Sequence, residues 1–448
     1  MNLENFDEYQ MNEISAGRKS HVDVSIYADP KFNHLQMAQI REGLEKGLDV
    51  TTYTDPKYED GQMREIRCGL ENGVDVNIYT DPQYNRFQMQ QLRLGLESGV
   101  DVSLYADPKY NDFQMHQIRT GLEQGVDVSI YTDFKYDFAQ MEQIREGLRT
   151  DIDVSWYADP KYKAEQMAEL RKGLEAGLSG LDVSIYADPE FKVDQMAEIR
   201  EGLEKGLDAS LYADPEFNIE QMEQIRKGLE MDLNVSIYAN AKYDSEQMQQ
   251  IRFGLQDGLD VSVYANPKFD HSQMYELYKG LEAGVDTSIY ADPKFNDLQM
   301  ERIWTGLQSG VDASIYADPK YNWQQMQEIR DGLEAGIDVF NYLDPEFNWE
   351  QMSQIRHGLE NGVDVIIYAD QQYDAEQMKQ LRWGLESDFD VSSYADPKFD
   401  AEQMDQMRQG LEYESCMNPA DELEEDFFNK HDRPAVQLNK PTRKGLER

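Results

Sequence analysis

Asn33-His34-Leu35-Gln36-Met37-Ala38-Gln39-Ile40-Arg41-Glu42-Gly43-Leu44-Glu45-Lys46-Gly47-Leu48-Asp49-Val50-Thr51-Thr52-Tyr53-Thr54-Asp55 is most of one unit of a repeat that fills most of this chain. Asn33 followed three residues later by Gln36 has the form of a capping box, so a helix starts here. Met37, Ile40 and Leu44 then fall on one helical face by the i, i+3, i+7 rule. Gly47 with Leu48 behind it reads as a Schellman ending, with glycine in the left-handed conformation and an apolar residue after it. Asp49 caps a second, shorter helix that carries Val50 and Tyr53 inward. That helix stops at Asp55-Pro56, because the residue before a proline avoids the helical region.

The Gln–Met pair sets the period. Met11, Met37, Met63, Met89, Met115, Met141 and Met167 are 26 residues apart. After an insertion at 178–181 the same step runs from Met196 through Met222, Met248, Met274, Met300, Met326, Met352 and Met378 to Met404. Sixteen of the 20 methionines thus hold one structural position, and 12 of the 15 prolines hold the stop. A period of this size belongs to a solenoid, whose units bury their apolar faces against their neighbours. The expected fold is all-α, an α-solenoid of sixteen 26-residue helix–turn–short-helix repeats. The aromatic after each stop (Phe32, Tyr58, Phe191, Phe399) is expected between layers. Gly43 and its equivalents sit mid-helix at a cost of about 1 kcal/mol against alanine, which predicts that a neighbouring helix comes too close for a methyl group. Arg41 and its equivalents, beside two recurring aspartates, predict an Arg–Asp ladder between layers.

Residues 1–22 form an N-terminal capping repeat, with Ser15 and Arg18 where inner units have Arg and Leu, and residues 23–412 carry the array. An acidic C-terminal helix is expected at 413–429, with Leu423, Phe427 and Phe428 on one side, and a basic flexible tail at 430–448. The formal net charge of −44 is close to −3 for each of the sixteen repeats. It opposes direct binding of nucleic acid or of anionic membranes. Two cysteines, Cys68 and Cys416, fit a reducing compartment, and the first residues lack a signal-peptide pattern, so a cytoplasmic protein is expected.

Chemistry has no obvious home here. The six histidines do not all share one repeat position, and no HExxH, GxSxG or P-loop pattern occurs. The Asp49/Asp55 type of pair lacks the glycine-containing loop of an EF-hand. No catalytic residue, metal site or cofactor is assigned, and the chain is read as a non-enzyme. Variation between repeats is more informative. The slot after Arg reads Glu42, Cys68, Leu94, Thr120, Glu146 and onward to Phe253, His357, Trp383 and Gln409. The slot four residues earlier reads Ala38, Arg64, Gln90, His116, Glu142, Tyr275, Lys379 and Asp405. Positions i and i+4 adjoin on a helix surface, so the two form a variegated stripe. A second departure lies beside it, where the Arg slot becomes Tyr278 and then Trp304 in two consecutive units. Phe253, Tyr275, Tyr278, Trp304, Trp323, Trp349 and Trp383 are the candidate binding residues, since aromatics of this kind anchor interfaces.

The unit Q-M-x-x-I-R-x-G-L-E-x-G-x-D-V-S-x-Y-A-D-P-K-[FY], over residues 10–412, resembles uncharacterised acidic tandem-repeat proteins of gut bacteria and their mobile elements. That likeness implies the α-solenoid and supplies no activity. In architecture the unit is similar to ankyrin, HEAT and tetratricopeptide arrays, though shorter and without their consensus residues, and by fold analogy this implies a binding role. The expected function is a scaffold for protein–protein interaction through the variable stripe, with a partner of basic surface. The alternative is an acidic mimic of DNA that inhibits nucleic-acid-binding defence or restriction proteins. That reading gains if Glu45, Glu71 and Glu97 line one free ridge.

Overall fold

The computed structural model describes residues 5–417, and those residues are all-helical, without a strand. The chain is a helical-repeat solenoid. It divides into two compact units, Met1–Met248 and Gln249–Arg448. In the first, long helices run Glu8–Lys19, His34–Glu45, Asp60–Glu71, Arg86–Ser98 and on to Ile219–Glu230. In the second they include His271–Glu282, Asp297–Gln308, Trp323–Glu334, Trp349–Glu360, Ala375–Glu386 and Ala401–Met417. Within each unit a long helix packs against the one before it and the one after it. Among the described residues no helix is long and apolar enough to cross a membrane. The last helix continues to Met417, past the array end drawn at 412. The remainder of the acidic helix expected at 413–429, and the basic tail at 430–448, lie outside the described residues.

Each helix starts as its sequence dictates. Asn33 Oδ1 accepts the Gln36 amide at 2.8 Å, and Gln36 Oε1 accepts the Asn33 amide at 2.8 Å. The glutamine does more than cap. Its Nε2 donates to the Tyr58 carbonyl at 2.6 Å, tying the helix start to the end of its own unit. Gln325 repeats this in the second unit, donating to Phe347 O at 2.6 Å. These glutamines are buried because all their polar atoms are used. At the other end, Leu48 N donates to Gly43 O and Gly47 N to Leu44 O, each at 3.0 Å, with Gly47 at φ +72°. That is the Schellman pattern. His21, Asp151, Asp232 and Asp388 hold the same left-handed turn where glycine is missing.

The second element is tighter than expected. In most repeats it is a single three-residue 3-10 turn, such as Val50–Thr52, capped by Asp49 through the Thr51 amide. The three-residue insertion lengthens it to a five-residue α-helix, Gly180–Ser184. Met37, Ile40, Val50 and Tyr53 are buried, and Tyr58 reaches the next layer through its hydroxyl on Thr80 O. Each such side chain contributes roughly 1.5–3 kcal/mol.

The close neighbour expected at the mid-helix glycine is the short helix of its own repeat. A Cβ on Gly43 would overlap the hydroxyl of Tyr53 from the same repeat and come within 3.0 Å of Val50 Cγ1. The tyrosine lies over the helix because its hydroxyl donates to Gln39 O at 3.2 Å.

A candidate binding face on the long helices

The interlayer ladder is made of arginine with glutamate or glutamine, not with aspartate. Arg41 Nε donates to Glu13 Oε2 of the preceding repeat at 2.9 Å and its Nη1 to Glu45 on its own helix at 2.8 Å. Arg93 does the same with Glu65 at 2.9 Å and Glu97 at 2.6 Å. Arg67 and Arg119 reach Gln39 and Gln91, each at 3.0 Å. The aspartates are unavailable because they close turns: Asp49 accepts Thr51 N, and Asp55 accepts Lys57 N. Each rung is charge-assisted and half-buried, so it fixes the spacing of adjacent helices. Glu45, Glu71 and Glu97 are therefore each paired with an arginine, and Glu71 and Glu97 also receive Lys46 Nζ and Asn72 Nδ2 from the preceding repeat.

In the second unit three consecutive rungs depart from this scheme. Arg356, Arg382 and Arg408 make ordinary rungs with Glu328, Gln354 and Gln380 at 2.8, 3.1 and 3.0 Å. Tyr278 stands where an arginine would meet Gln250, and Gln250 Oε1 is shielded from solvent without a hydrogen-bond partner among the described residues. Tyr278 turns instead to Asp257, donating to its Oδ2 at 2.7 Å. At the next rung Trp304 Nε1 donates to Glu276 Oε2 at 2.7 Å. At the third, Arg302 holds the Glu or Gln position opposite Arg330. Both Nε atoms are shielded and lack a hydrogen bond, although Arg330 Nε lies 3.5 Å from Glu334. A shielded polar group left unpaired costs about 1–3 kcal/mol. Burial pushes the Glu276 carboxyl above its usual range despite the hydrogen bond from Trp304. The hydrogen bond to Asp257 is the main reason the Tyr278 phenol is pushed up to about 12.

Of the seven aromatics singled out, Tyr275 and Tyr278 come together, stacked with ring centroids 6.3 Å apart. Trp304 lines a shallow cavity with Lys279, Glu282, Ala283 and Gln308. Arg302 lies 5.4 Å over Trp323. Phe253 is 36% exposed and Tyr275 45%. Trp349, 37% exposed, and Trp383 lie apart from this cluster: Trp349 opens a helix beside Ser353 and Glu376, and Trp383 sits under Lys379 and Arg408.

The sequence reading missed a third variable slot, three residues before the 38-type position and on the same helical face. It holds Tyr9, Leu35, Gly61, Phe87 and Phe113 in the first five repeats. Phe87 is 46% exposed and Phe113 57%, and Phe113 touches Phe138 at the start of the following helix, ring centroids 5.2 Å apart. The i, i+3 rule would have found it. The outward face of each long helix thus carries three variable slots over an invariant interior. The chain matches no family model and no curated protein.

Proposed function

We propose that this chain is a non-enzymatic, cytoplasmic repeat scaffold that holds a protein partner on the outward face of its long helices. Its main anchor would be the cluster around Tyr275, Tyr278, Trp304 and Trp323. One observation carries the reading: three consecutive rungs lack the arginine–Glu/Gln pair that neighbouring repeats keep, and two of them are filled by Tyr278 and Trp304. Local rules are broken where function requires it, and the stability lost is recovered elsewhere. Phe253 and Tyr275 supply exposed apolar area of the kind that becomes an interface core, and Trp304 is half-buried. The −44 charge favours a partner with a basic surface. DNA mimicry draws less support, because the Glu45-type acids are engaged by arginines.

The test restores the ladder. A Tyr278→Arg/Trp304→Arg variant regains the common residues at both rungs, so it keeps the fold while removing two aromatics. Proteins captured from a lysate of the source cells by wild type and variant are compared, with elution by salt and by duplex DNA. Partners lost by the variant and retained against DNA are expected. Unchanged capture removes the patch from the reading, and elution by DNA replaces the scaffold with the mimic.

A further inference from the structure

The first unit carries a second site of opposite charge preference. Acidic residues outnumber basic ones 87 to 43 in this chain, so an arginine without an acid is unusual. Among the described residues of the first unit, Arg41, Arg67, Arg93, Arg119, Arg145, Arg149, Arg171, Arg200 and Arg226 each have a carboxylate within 4 Å. Arg18, Arg64 and Arg86 have no such ion pair, and the last two line one surface cavity of about 200 Å3 together with Asp60, Gly61, Glu65, Phe87 and Gln90.

The cavity is shaped by a specific exchange. Gly61 occupies the slot that holds Leu35, Phe87 and Phe113 in nearby repeats. A Cβ there would lie 2.7 Å from Arg86 Cδ, so the glycine makes room for the arginine stem. The Arg86 guanidinium lies 4.3 Å over the Phe87 ring, which holds it at the cavity edge. Of the two acids in the lining, Glu65 is already held by Arg93. That leaves two guanidiniums, one aspartate and an exposed ring, with Phe113 at the equivalent position of the next repeat.

We propose that this notch binds a peptide segment in which a carboxylate side chain adjoins aromatic ones. The carboxylate is taken between Arg64 and Arg86, where each guanidinium offers paired donors, and the apolar neighbours rest on Phe87 and Phe113. The volume suits one side chain and is below that of sites for drug-sized ligands. The charge of the whole molecule does not forbid this. At physiological salt the screening length is about 8 Å, so the local pair of arginines governs the encounter. A nucleic acid fits worse, because its continuous phosphates would also meet Asp60 and Asp112 at the starts of the two helices that flank Arg86–Ser98.

The experiment titrates the full chain into labelled acetyl-Gly-Asp-Phe-Phe-Gly-amide and follows fluorescence anisotropy. The same peptide with Asn, and then Lys, in place of Asp gives the comparison. Binding of the Asp peptide is expected, weaker by about tenfold or more for the Asn peptide and for an Arg64→Gln/Arg86→Gln variant. A Phe87→Ser/Phe113→Ser variant should also weaken it. Both variants change exposed side chains, and an unchanged melting curve verifies the fold. Equal affinity for the Lys peptide, or no loss in the Arg variant, overturns the proposal. So does full displacement by millimolar inorganic phosphate or by duplex DNA, which would leave a general oxyanion site.

Discussion

Tyr278 takes the place of the arginine that would satisfy Gln250, and Gln250 Oε1 is left shielded without a hydrogen-bond partner among the described residues. The replacement also deprives Glu282 of the arginine, four residues earlier, that its equivalents pair with; it pairs with Lys279 instead. Tyr278→Arg should restore both contacts, as Arg67 does with Gln39 and Glu71. The variant should be more stable than wild type by about 1–2 kcal/mol, the range for a charge-assisted hydrogen bond less its ordering cost. Chemical denaturation of the two proteins measures this. A destabilised variant would show that the aromatic packing of Tyr278 outweighs the missing rung.

Two glycines in equivalent positions should respond to alanine with opposite signs. At Gly332 a Cβ would overlap the Tyr342 hydroxyl and press on Val339 Cγ1 at 3.0 Å, so Gly332→Ala is overpacked and should cost about 1–3 kcal/mol. At Gly410, in the last described helix, no described residue lies within 4 Å of the added methyl. There the helix propensity of alanine acts alone, and Gly410→Ala should stabilise that helix by up to about 1 kcal/mol. Hydrogen exchange of the amides in 402–412 and 324–334 reads the two effects separately.

These contrasts mark how far the sequence could be read. The Met37, Ile40, Val50 and Tyr53 core was visible because its spacing is local and repeats. The caps at Asn33 and Gly47 were visible for the same reason. What Gly43 avoids was not visible, because Tyr53 returns over the helix only after the Gly47 turn has folded the chain back. The ladder was read with the wrong acid. Arg41 meets Glu13 across 28 residues, and nothing in the linear spacing favours that glutamate over the nearer aspartates. Tyr278 and Trp304 stood out as breaks in a periodic slot, but the stranded oxygen of Gln250 is a property of three dimensions. Phe87 and Phe113 were legible and overlooked.

Glu276 should weaken the fold at neutral pH. Burial raises its pKa, with Glu301 and Asp297 adding to the shift, and Trp304 only partly compensates. A carboxyl whose folded pKa exceeds its unfolded value makes ionisation costly in the folded state. That cost is present above the folded pKa and disappears below the unfolded value of about 4.3. Glu276→Gln keeps an oxygen for Trp304 Nε1 and removes the charge. It should raise the melting temperature at pH 7, and the gain should vanish as the pH falls below about 4. A gain independent of pH would point to packing instead.

The exposed turn aspartates should act in the reverse sense. In Asp260, Asp286 and Asp390 the hydroxyl of the serine two residues on, followed by that serine's amide, holds the carboxyl below its usual range. A lowered folded pKa means stability that is fully present above the unfolded value of about 3.9 and is lost as the pH falls through the folded pKa. Relief of self-repulsion near the sequence pI of about 4.4 works the other way, so wild type alone cannot isolate the caps. An Asp260→Asn/Asp286→Asn/Asp390→Asn variant can, because asparagine still caps a turn but does not titrate there. Thermal melts from pH 7 to pH 2.5 should show little difference at neutral pH and a shallower acid decline for the variant. Parallel curves throughout would mean that these caps carry no pH-dependent stability.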